Sequence, residues 1–156
     1  MACLGLGLLA YQLVPRDETR IAAVLAQLCS RLNQTRDEAS LARLRQALPA
    51  ALEPEAQLRL VELNEELAGL PELSSRASEL LNGAPLTFAL NSVQIQITGD
   101  RARVDTDLLI TVSGSGEQHR DLRRTRILLR KKTKSAWLVE RVEIDPVEPS
   151  EPEPRP

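Results

Sequence analysis

Two aspartates, Asp105 and Asp107, are the closest approach in this sequence to a paired carboxylate site. Paired carboxylates can act as general acid and general base when their environments keep them in different protonation states. Here both residues alternate with apolar residues, so a strand would turn them away from its core side. Pairing with a strand at residues 122–131 would bring them near Arg124 and Arg126, and opposite charges across a strand pair stabilise a sheet. We therefore predict cross-strand ion pairs and assign no catalytic residue.

The single histidine, His119, lies beside Glu117 in a stretch that predicts a polar loop. A general base needs a nucleophile and an orienting partner, and neither is identifiable near it. One His and two Cys are too few for the usual Cys/His zinc site. Gly114 and Gly116 lie between predicted strands, without the helix N-terminus that holds an anion in a phosphate loop. The sequence predicts no metal and no cofactor, and it indicates a protein that is not an enzyme.

Positive charge concentrates late in the chain, in a predicted strand and just after it. The candidate binding residues are Arg123, Arg124, Arg126, Arg130, Lys131 and Lys132. Such a cluster could bind phosphates, anionic lipid headgroups or an acidic protein partner. The alternative is a solvated sheet face that Asp105 and Asp107 neutralise. Nucleic acid is not expected as a partner, because the formal net charge is −2 and aromatic residues, at 2%, are too few for base stacking.

Apolar residues at steps of three and four predict helices in the first half of the chain. The first helix would begin at Asp17, and Thr35 with Glu38 matches the capping box that would begin a second. Pro54 would open a third helix, and a short fourth helix would follow over residues 72–81. The stripe of the third helix would consist of Leu60, Leu63, Leu67 and Leu70.

From residue 86 the apolar period becomes two, which predicts strands. Val93, Ile95 and Ile97 alternate with polar residues, and four such strands joined by hairpins would form an antiparallel meander. Helices before strands predict an α+β fold with the N-terminal helices packed on that meander. We expect a single domain over residues 16–145, with helices at 17–82 and strands at 86–145. The tail at 146–156 alternates proline with acidic residues and is expected to be disordered.

Residues 1–15 form an apolar run without a charged side chain. The run is shorter than the ~20 residues that a membrane-spanning helix needs. It lacks the basic start and cleavage pattern of a signal peptide, and it has no amphipathic period. We predict a membrane anchor that is short or whose first residues precede this chain, with Tyr11 near the membrane interface. The alternative is a buried N-terminal segment.

The long first helix, the further helices and the meander together resemble the nuclear transport factor 2-like superfamily, which includes SnoaL-like proteins and ketosteroid isomerases. The similar segments are the strand-turn-strand at 93–104 and a closing strand at 136–144 that begins with Ala and Trp. The resemblance implies a cystatin-like cone, in which a curved sheet wraps around the first helix and leaves a pocket at its open end. It implies that Phe88 and Trp137 line this pocket. One departure is the segment 41–81, which is longer and richer in leucine than the short pair of helices usual in the family.

The chain is also similar to uncharacterised bacterial members of this superfamily that carry an apolar anchor before the first helix. This resemblance implies the bacterial inner membrane as location, with a soluble cytoplasmic protein as the alternative. We predict a non-enzymatic, membrane-tethered accessory or interaction domain that binds a protein partner or a second copy through its sheet. The alternative is a small-ligand-binding or isomerase/lyase-like protein that uses the cone pocket. Against it, catalysis of the ketosteroid isomerase type needs a Tyr or protonated Asp as oxyanion donor, and the single tyrosine, Tyr11, lies in the N-terminal run.

Overall fold

The computed structural model describes residues 16–83, 85–114 and 116–146. These residues form three α-helices, one short 3₁₀ turn at Leu48–Ala50 and six β-strands. The helices are α1 (Asp17–Gln34), α2 (Glu38–Ala47) and α3 (Leu70–Gly83). The strands are β1 (Leu52–Leu60), β2 (Glu65–Ala68), β3 (Leu86–Thr98), β4 (Arg101–Ser113), β5 (Gln118–Lys131) and β6 (Trp137–Pro146).

The six strands form one curved sheet in the order β2-β1-β6-β5-β4-β3. Strands β3 to β6 are the predicted antiparallel meander, and their long alternating registers explain why the sequence pattern was so clear. The prediction of an α+β fold is therefore confirmed. The sheet is mixed rather than purely antiparallel, because β1 pairs with β6 in parallel.

The predicted third helix is wrong, because residues 52–68 form the hairpin of β1 and β2 instead. Leu58 pairs with Leu67, and Leu60 pairs with Glu65, across a turn in which Asn64 has a φ of +50°. Leucines at steps of three and four fit a helix locally, but β1 gains a second partner in β6. Tertiary pairing of this kind routinely overrides a weak local preference.

The core lies between α1 and the inner face of the sheet. Ile21 and Leu25 of α1 pack on Val104, Leu129 and Trp137. A second cluster joins α2 to its neighbours and is built from Leu41, Leu44 and Leu48, with Leu28, Leu32, Leu52, Leu70 and Leu81 packed against it. Leu28 and Leu52 belong to both clusters, so the interior of the described domain is one continuous apolar layer.

The start of α2 differs from the predicted capping box by two residues. Asp37 is the N-cap, and its Oδ1 accepts a 2.8 Å hydrogen bond from the backbone N–H of Ser40. The Ser40 hydroxyl in turn accepts from the Asp37 N–H at 3.0 Å. The hydrogen bonds that the backbone N–H and then the hydroxyl of Ser40 donate to the Asp37 carboxylate hold the pKa of Asp37 below its ordinary value. Thr35, the residue expected in this role, closes α1 instead and donates its hydroxyl to Arg31 O at 2.8 Å.

The inner-membrane location predicted from the sequence is corrected by the fold. Within residues 16–83, 85–114 and 116–146, no helix is long and apolar enough to cross a membrane. The apolar run at 1–15 that motivated the anchor lies outside the described residues, as does the tail at 147–156.

The end of α1 is fastened to the outermost long strand by one side chain. Asn33 Nδ2 donates to Phe88 O at 2.9 Å, and Asn33 Oδ1 accepts from the Phe88 N–H at 2.7 Å. Since β3 is the last strand of the sheet, the amide of Asn33 takes the place that a neighbouring strand would fill.

We predict that Asn33→Ala lowers the free energy of unfolding by about 1–3 kcal/mol, because two part-buried backbone groups lose their partner. Urea denaturation with a shared m-value measures the change. Gln34→Ala is the matched control, because Gln34 makes only an exposed 3.3 Å bond to Ser30. Equal stabilities of the two variants would contradict the role of Asn33.

Candidate functional site

The basic residues predicted to form one cluster are divided between the two faces of the sheet. Along β5, Thr125, Ile127 and Leu129 are buried against the core, whereas Arg124 and Arg126, which alternate with them, are exposed. By this alternation Arg124, Arg126 and Arg130 point outward. Arg123 and Lys131 point to the inner side, and Lys132 follows the strand. The six residues therefore cannot act as one binding patch.

On the outer face, Asp105 is shared by two arginines. Arg103 binds it with Nε and Nη2 at 2.8 and 3.2 Å, and Arg126 Nε lies 3.4 Å away. The hydrogen bond from Arg103 is the main reason that the pKa of Asp105 lies below its ordinary value. The register places Asp105 opposite Arg126 and Asp107 opposite Arg124, which confirms the pairing expected from the sequence.

A cleft of about 670 Å³ opens on the same outer face. The cleft lies where the strand pairing is irregular. Strand β1 departs from β6 between Leu52 and Gln57, and the register of β5 with β6 shifts between Leu128 and Leu129. Its charged lining consists of Glu53, Glu55, Arg101, Arg130, Lys132, Glu140 and Arg141. The cleft thus brings together two predicted binding residues, Arg130 and Lys132, with partners that the sequence pattern did not indicate.

Arg101 and Arg130 in this cleft form long ion pairs with Glu140. Glu140 lies 3.6 Å from Arg101 and 3.6 Å from Arg130, beyond hydrogen-bond distance in both cases. The Nε of Arg130 is buried and has no hydrogen-bond partner among the described residues. Lys132, by contrast, lies 2.8 Å from Glu53. The guanidinium groups of Arg101 and Arg130 therefore keep donor capacity for a further acceptor.

On the inner face, Arg123 is fixed by two carboxylates. It binds Asp121 Oδ2 through Nη2 and Nε at 2.7 and 2.8 Å, and it also binds Glu62 in the turn between β1 and β2. Asp121 and then Glu62 hold the pKa of Arg123 above its ordinary value. The sequence analysis missed Glu62, because it placed that residue on a helix that does not exist.

Of the two predicted pocket residues, Phe88 lies next to this group. The registers align Phe88, Ile110 and Asp121 in one row across β3, β4 and β5, and Leu90, Leu108 and Arg123 in the next row. Alternation from the buried Val104 and Thr106 puts these rows on the inner face. The side chains of Phe88, Leu108 and Ile110 are half-buried. They form an apolar strip beside the Asp121–Arg123–Glu62 group.

Trp137 is 1% exposed and belongs to the core cluster at the opposite end of β6. Its indole Nε1 donates to Asp17 Oδ1 at 3.1 Å, and Lys131 Nζ, which binds Asp17 Oδ2 at 2.8 Å, lies 5.7 Å from the ring centroid. The structure does not bring Phe88 and Trp137 into one site. Lys131, predicted as a binding residue, instead forms a junction with Asp17 and Trp137 that joins α1 to β5 and β6.

His119 is exposed and lies inside β5 opposite Val112, rather than in the loop that the sequence indicated. Within the described ranges, no group of three His, Cys, Asp or Glu side chains could hold a metal ion.

No family model and no curated protein matches the chain. Solved structures do match it in fold. An NTF2-like protein with a cystatin-like fold from Novosphingobium aromaticivorans has a TM-score of 0.69 at 14% identity, covering 97% of this chain and 92% of that one. The S. rosetta CaMKII hub has a TM-score of 0.67 at 15% identity, covering 86% and 100%. A candidate dehydratase of the NTF2-like family from Streptomyces avermitilis has a TM-score of 0.61 at 15% identity, covering 83% and 97%. The chain thus has the cone fold of NTF2-like proteins.

We predict that the junction at Asp17 makes stability depend on acid pH. The hydrogen bond from Lys131, followed by that from Trp137, lowers the pKa of Asp17 from the ordinary value of 3.8. A carboxyl whose pKa is lower in the folded state stabilises the fold above its unfolded pKa. This contribution is lost as the pH falls through the lowered value. Asp17→Asn should therefore be less stable than wild type at neutral pH, with a difference that shrinks in acid.

Urea titrations between about pH 7 and about pH 2 test this expectation. Glu18→Gln is the control, because it removes the neighbouring charge of the same helix turn without touching the junction. A difference between Asp17→Asn and wild type that is constant across this range would contradict the assignment.

Proposed function

We propose that this chain is a non-enzymatic interaction domain that binds a second copy of itself through the outer face of its sheet. The observation that supports it most is the division of the two faces. The inner face is covered in large part by α1 and by the leucines of α2 and α3, whereas the outward residues of β4 and β5 include exposed arginines (Arg101, Arg103, Arg124 and Arg126) beside the half-buried Leu109 and Leu128.

The packing of the interior weakens an enzymatic interpretation. The leucines at 41, 44 and 48, with those at 70 and 81, pack into the second apolar cluster between the helices. Among the carboxyl groups of the described residues with a resolved shift, the pKa of Asp17, Asp37 and Asp105 is lowered in each case. These three carboxyl groups are therefore ionised at neutral pH, so none of them can serve as the protonated Asp that donates to the oxyanion in catalysis of the ketosteroid isomerase type.

The charges of the outer face favour a second copy as partner. Arginines and acids stand in adjacent rows, as with Asp105 beside Arg103 and Arg126, so two copies related by a two-fold axis can set opposite charges against each other. The S. rosetta CaMKII hub and a further neighbour from Xanthomonas campestris, named for a kinase II association domain, are compatible with this proposal.

The size of the face sets the expected strength. Strands β3 to β6 contain 13, 13, 14 and 10 residues. At about 3.3 Å per residue and about 4.8 Å per strand they offer about 800 Å², which is close to the area per partner that a standard interface buries. Because the face carries many charged side chains, the proposed dimer is sensitive to salt.

We predict that Arg126→Glu weakens self-association at least about tenfold, or by about 1.4 kcal/mol, because it places a second acid beside Asp105 in the contact. Sedimentation equilibrium at several protein concentrations measures the constant, and circular dichroism checks the fold. Arg43→Glu on α2 is the matched control, since it makes the same charge change on the helical side of the domain.

A wild-type chain that stays monomeric at all accessible concentrations would contradict the proposal. Equal association of Arg126→Glu and Arg43→Glu would also count against the outer face.

A small-ligand-binding or isomerase/lyase-like function is the second candidate, and the apolar strip on the inner face favours it. Phe88, Leu108 and Ile110 are half-buried there beside a fixed guanidinium and two carboxylates. Such a mixture of an apolar wall with few polar groups is typical of small-molecule sites. Trp137 has no place in this candidate site, because it is buried in the core at the other end of β6.

If the strip binds ligands, anilinonaphthalene sulfonate should fluoresce on it, and Ile110→Asp should abolish most of that signal because it places a charge in the apolar row. Leu109→Asp is the matched control, since Leu109, the residue before Ile110 in β4, faces the opposite side of the sheet. Equal dye signals from both variants, with the fold intact, would remove this candidate.

A further inference from the structure

The outward residues of β4 and β5 match one another in three consecutive rows of the sheet, which we call the three-row patch. Two rows join an acid of β4 to an arginine of β5, and the third row joins two leucines. The rows are Asp105 with Arg126, Asp107 with Arg124, and Leu109 with Leu122. Successive rows lie about 7 Å apart along the strands, so the patch is about 13 Å long. Over this length each outward residue of β4 has a complementary residue on β5.

The middle row and the leucine row of this patch retain capacity for a partner. Although Asp107 and Arg124 are opposite each other, no ion pair joins either side chain to another of the described residues. Leu122 is 41% exposed, and Leu109 opposite it is half-buried. Charges of opposite sign next to exposed apolar surface suit a partner that repeats the same pattern.

The charges of β5 restrict how a second copy can lie on this face. In a face-to-face dimer the two-fold axis lies in the plane between the two sheets and relates identical surfaces. An axis that runs across the strands would place β5 of one copy over β5 of the other. The outward side chains of β5, a strand described over its whole length, are four arginines, two leucines and one glutamine. This orientation would therefore set arginine against arginine, which disfavours it.

An axis that runs along the strands, between β4 and β5, gives the opposite result. It places β5 of one copy over β4 of the other, and β4 carries the acids of the patch. Each row then meets the same row of the other copy with its two residues exchanged. Sheets that stack face to face lie about 10 Å apart, a gap that an aspartate and an arginine pointing toward each other can bridge.

We propose that the dimer assigned above to the outer face has this axis, an inference that rests on the proposed self-association. Asp107 of each copy binds Arg124 of the other, and Leu109 of each copy packs against Leu122 of the other. The remaining row of an acid and an arginine follows the same pattern. The three-row patch thus lies at the centre of the contact and determines which surfaces recognise each other.

The two leucines distinguish this axis from one between β5 and β6. The second axis would also offer an acid to Arg124, because Asp145 of β6 is in register with it. It would, however, place β4 over β1, so that Leu109 and Leu122 would no longer meet. The exposed apolar surface therefore favours the axis between β4 and β5.

At the start of β4 the proposed axis would bring Arg101 toward Arg130 of the other copy. Arg101 is six residues from Asp107, or about 20 Å along the strand. Stacked sheets cross at about 30°, so strands that overlap at Asp107 have separated by about 10 Å at that distance. Glu140, which lies 3.6 Å from both arginines of its own copy, further reduces the repulsion.

Mixing two charge-reversed variants of the full-length chain tests this arrangement. Asp107→Arg alone and Arg124→Asp alone should each self-associate at least about tenfold more weakly than wild type, because like charges meet twice in each homodimer. In an equimolar mixture the introduced arginine meets the introduced aspartate, and the native pair forms on the other side of the axis. We expect this mixture to associate within about threefold of wild type. Sedimentation equilibrium measures the constants, and circular dichroism checks the fold.

Asp145→Arg is the matched control, because it makes the same charge change on the opposite side of Arg124. Its mixture with Arg124→Asp should associate at least about fivefold more weakly than the mixture of Asp107→Arg with Arg124→Asp. Equal association of the two mixtures would overturn the proposed axis, and so would restoration by Asp145→Arg alone.

A second pair of variants tests the leucine row without changing the charge. Leu122→Asn should weaken self-association at least about fivefold, because it removes apolar surface from the contact. Leu80→Asn should leave the constant unchanged, since it replaces a similarly exposed leucine on α3. Equal constants for these two variants would also overturn the proposal.

These measurements separate the proposed axis from the proposed self-association. If wild type associates and Arg126→Glu weakens it, while the mixture with Asp107→Arg stays weak, the axis is wrong and self-association through the outer face stands. A wild-type chain that stays monomeric contradicts both.

Discussion

The carboxylate of Asp17 is the contact on which the arrangement of helix and sheet depends. It lies in the first turn of α1, and it accepts hydrogen bonds from Lys131 at the end of β5 and Trp137 at the start of β6. An acid in the first turn also interacts favourably with the helix dipole. At the far end, Asn33 binds the backbone of Phe88. With both ends of α1 fixed to different strands, Ile21 and Leu25 are held over the core of the sheet.

Once α1 is fixed, strand alternation determines which side chains can act together. Neighbours in sequence such as Arg123 and Arg124 serve different purposes, the first in an inner group with Asp121 and the second on the outer face. The outer cleft comes from departures from regular pairing, since β1 leaves β6 after Leu52 and the register shifts near Leu128. Irregular pairing therefore forms a cleft on this face in which Arg101 and Arg130 lie beyond hydrogen-bond distance of Glu140.

The sequence predicted α1 and the four long strands because their apolar periods are long and unbroken, as in Val93 to Ile97. It could not predict β1 and β2, since leucines at 60, 63 and 67 fit a helix. The strand conformation of β1 depends on its pairing with β6, which is remote in sequence. That error also hid Glu62. The split of the basic cluster was predictable from the alternation of Arg124, Thr125, Arg126 and Ile127, whereas the cleft depends on irregular registers that no local pattern indicates.

The side chain of Asn33 has a consequence for how this protein can assemble. By occupying the backbone groups of Phe88, it denies an incoming strand one of its hydrogen-bonding positions on β3, and the irregular register between Asn91 and Gln94 interrupts the rest of that strand. The opposite border, β2, has only four residues. A sheet with both borders closed in this way resists growth into fibrils. If copies of this chain associate as proposed, their contact is therefore expected to use a face of the sheet rather than strand addition at its borders.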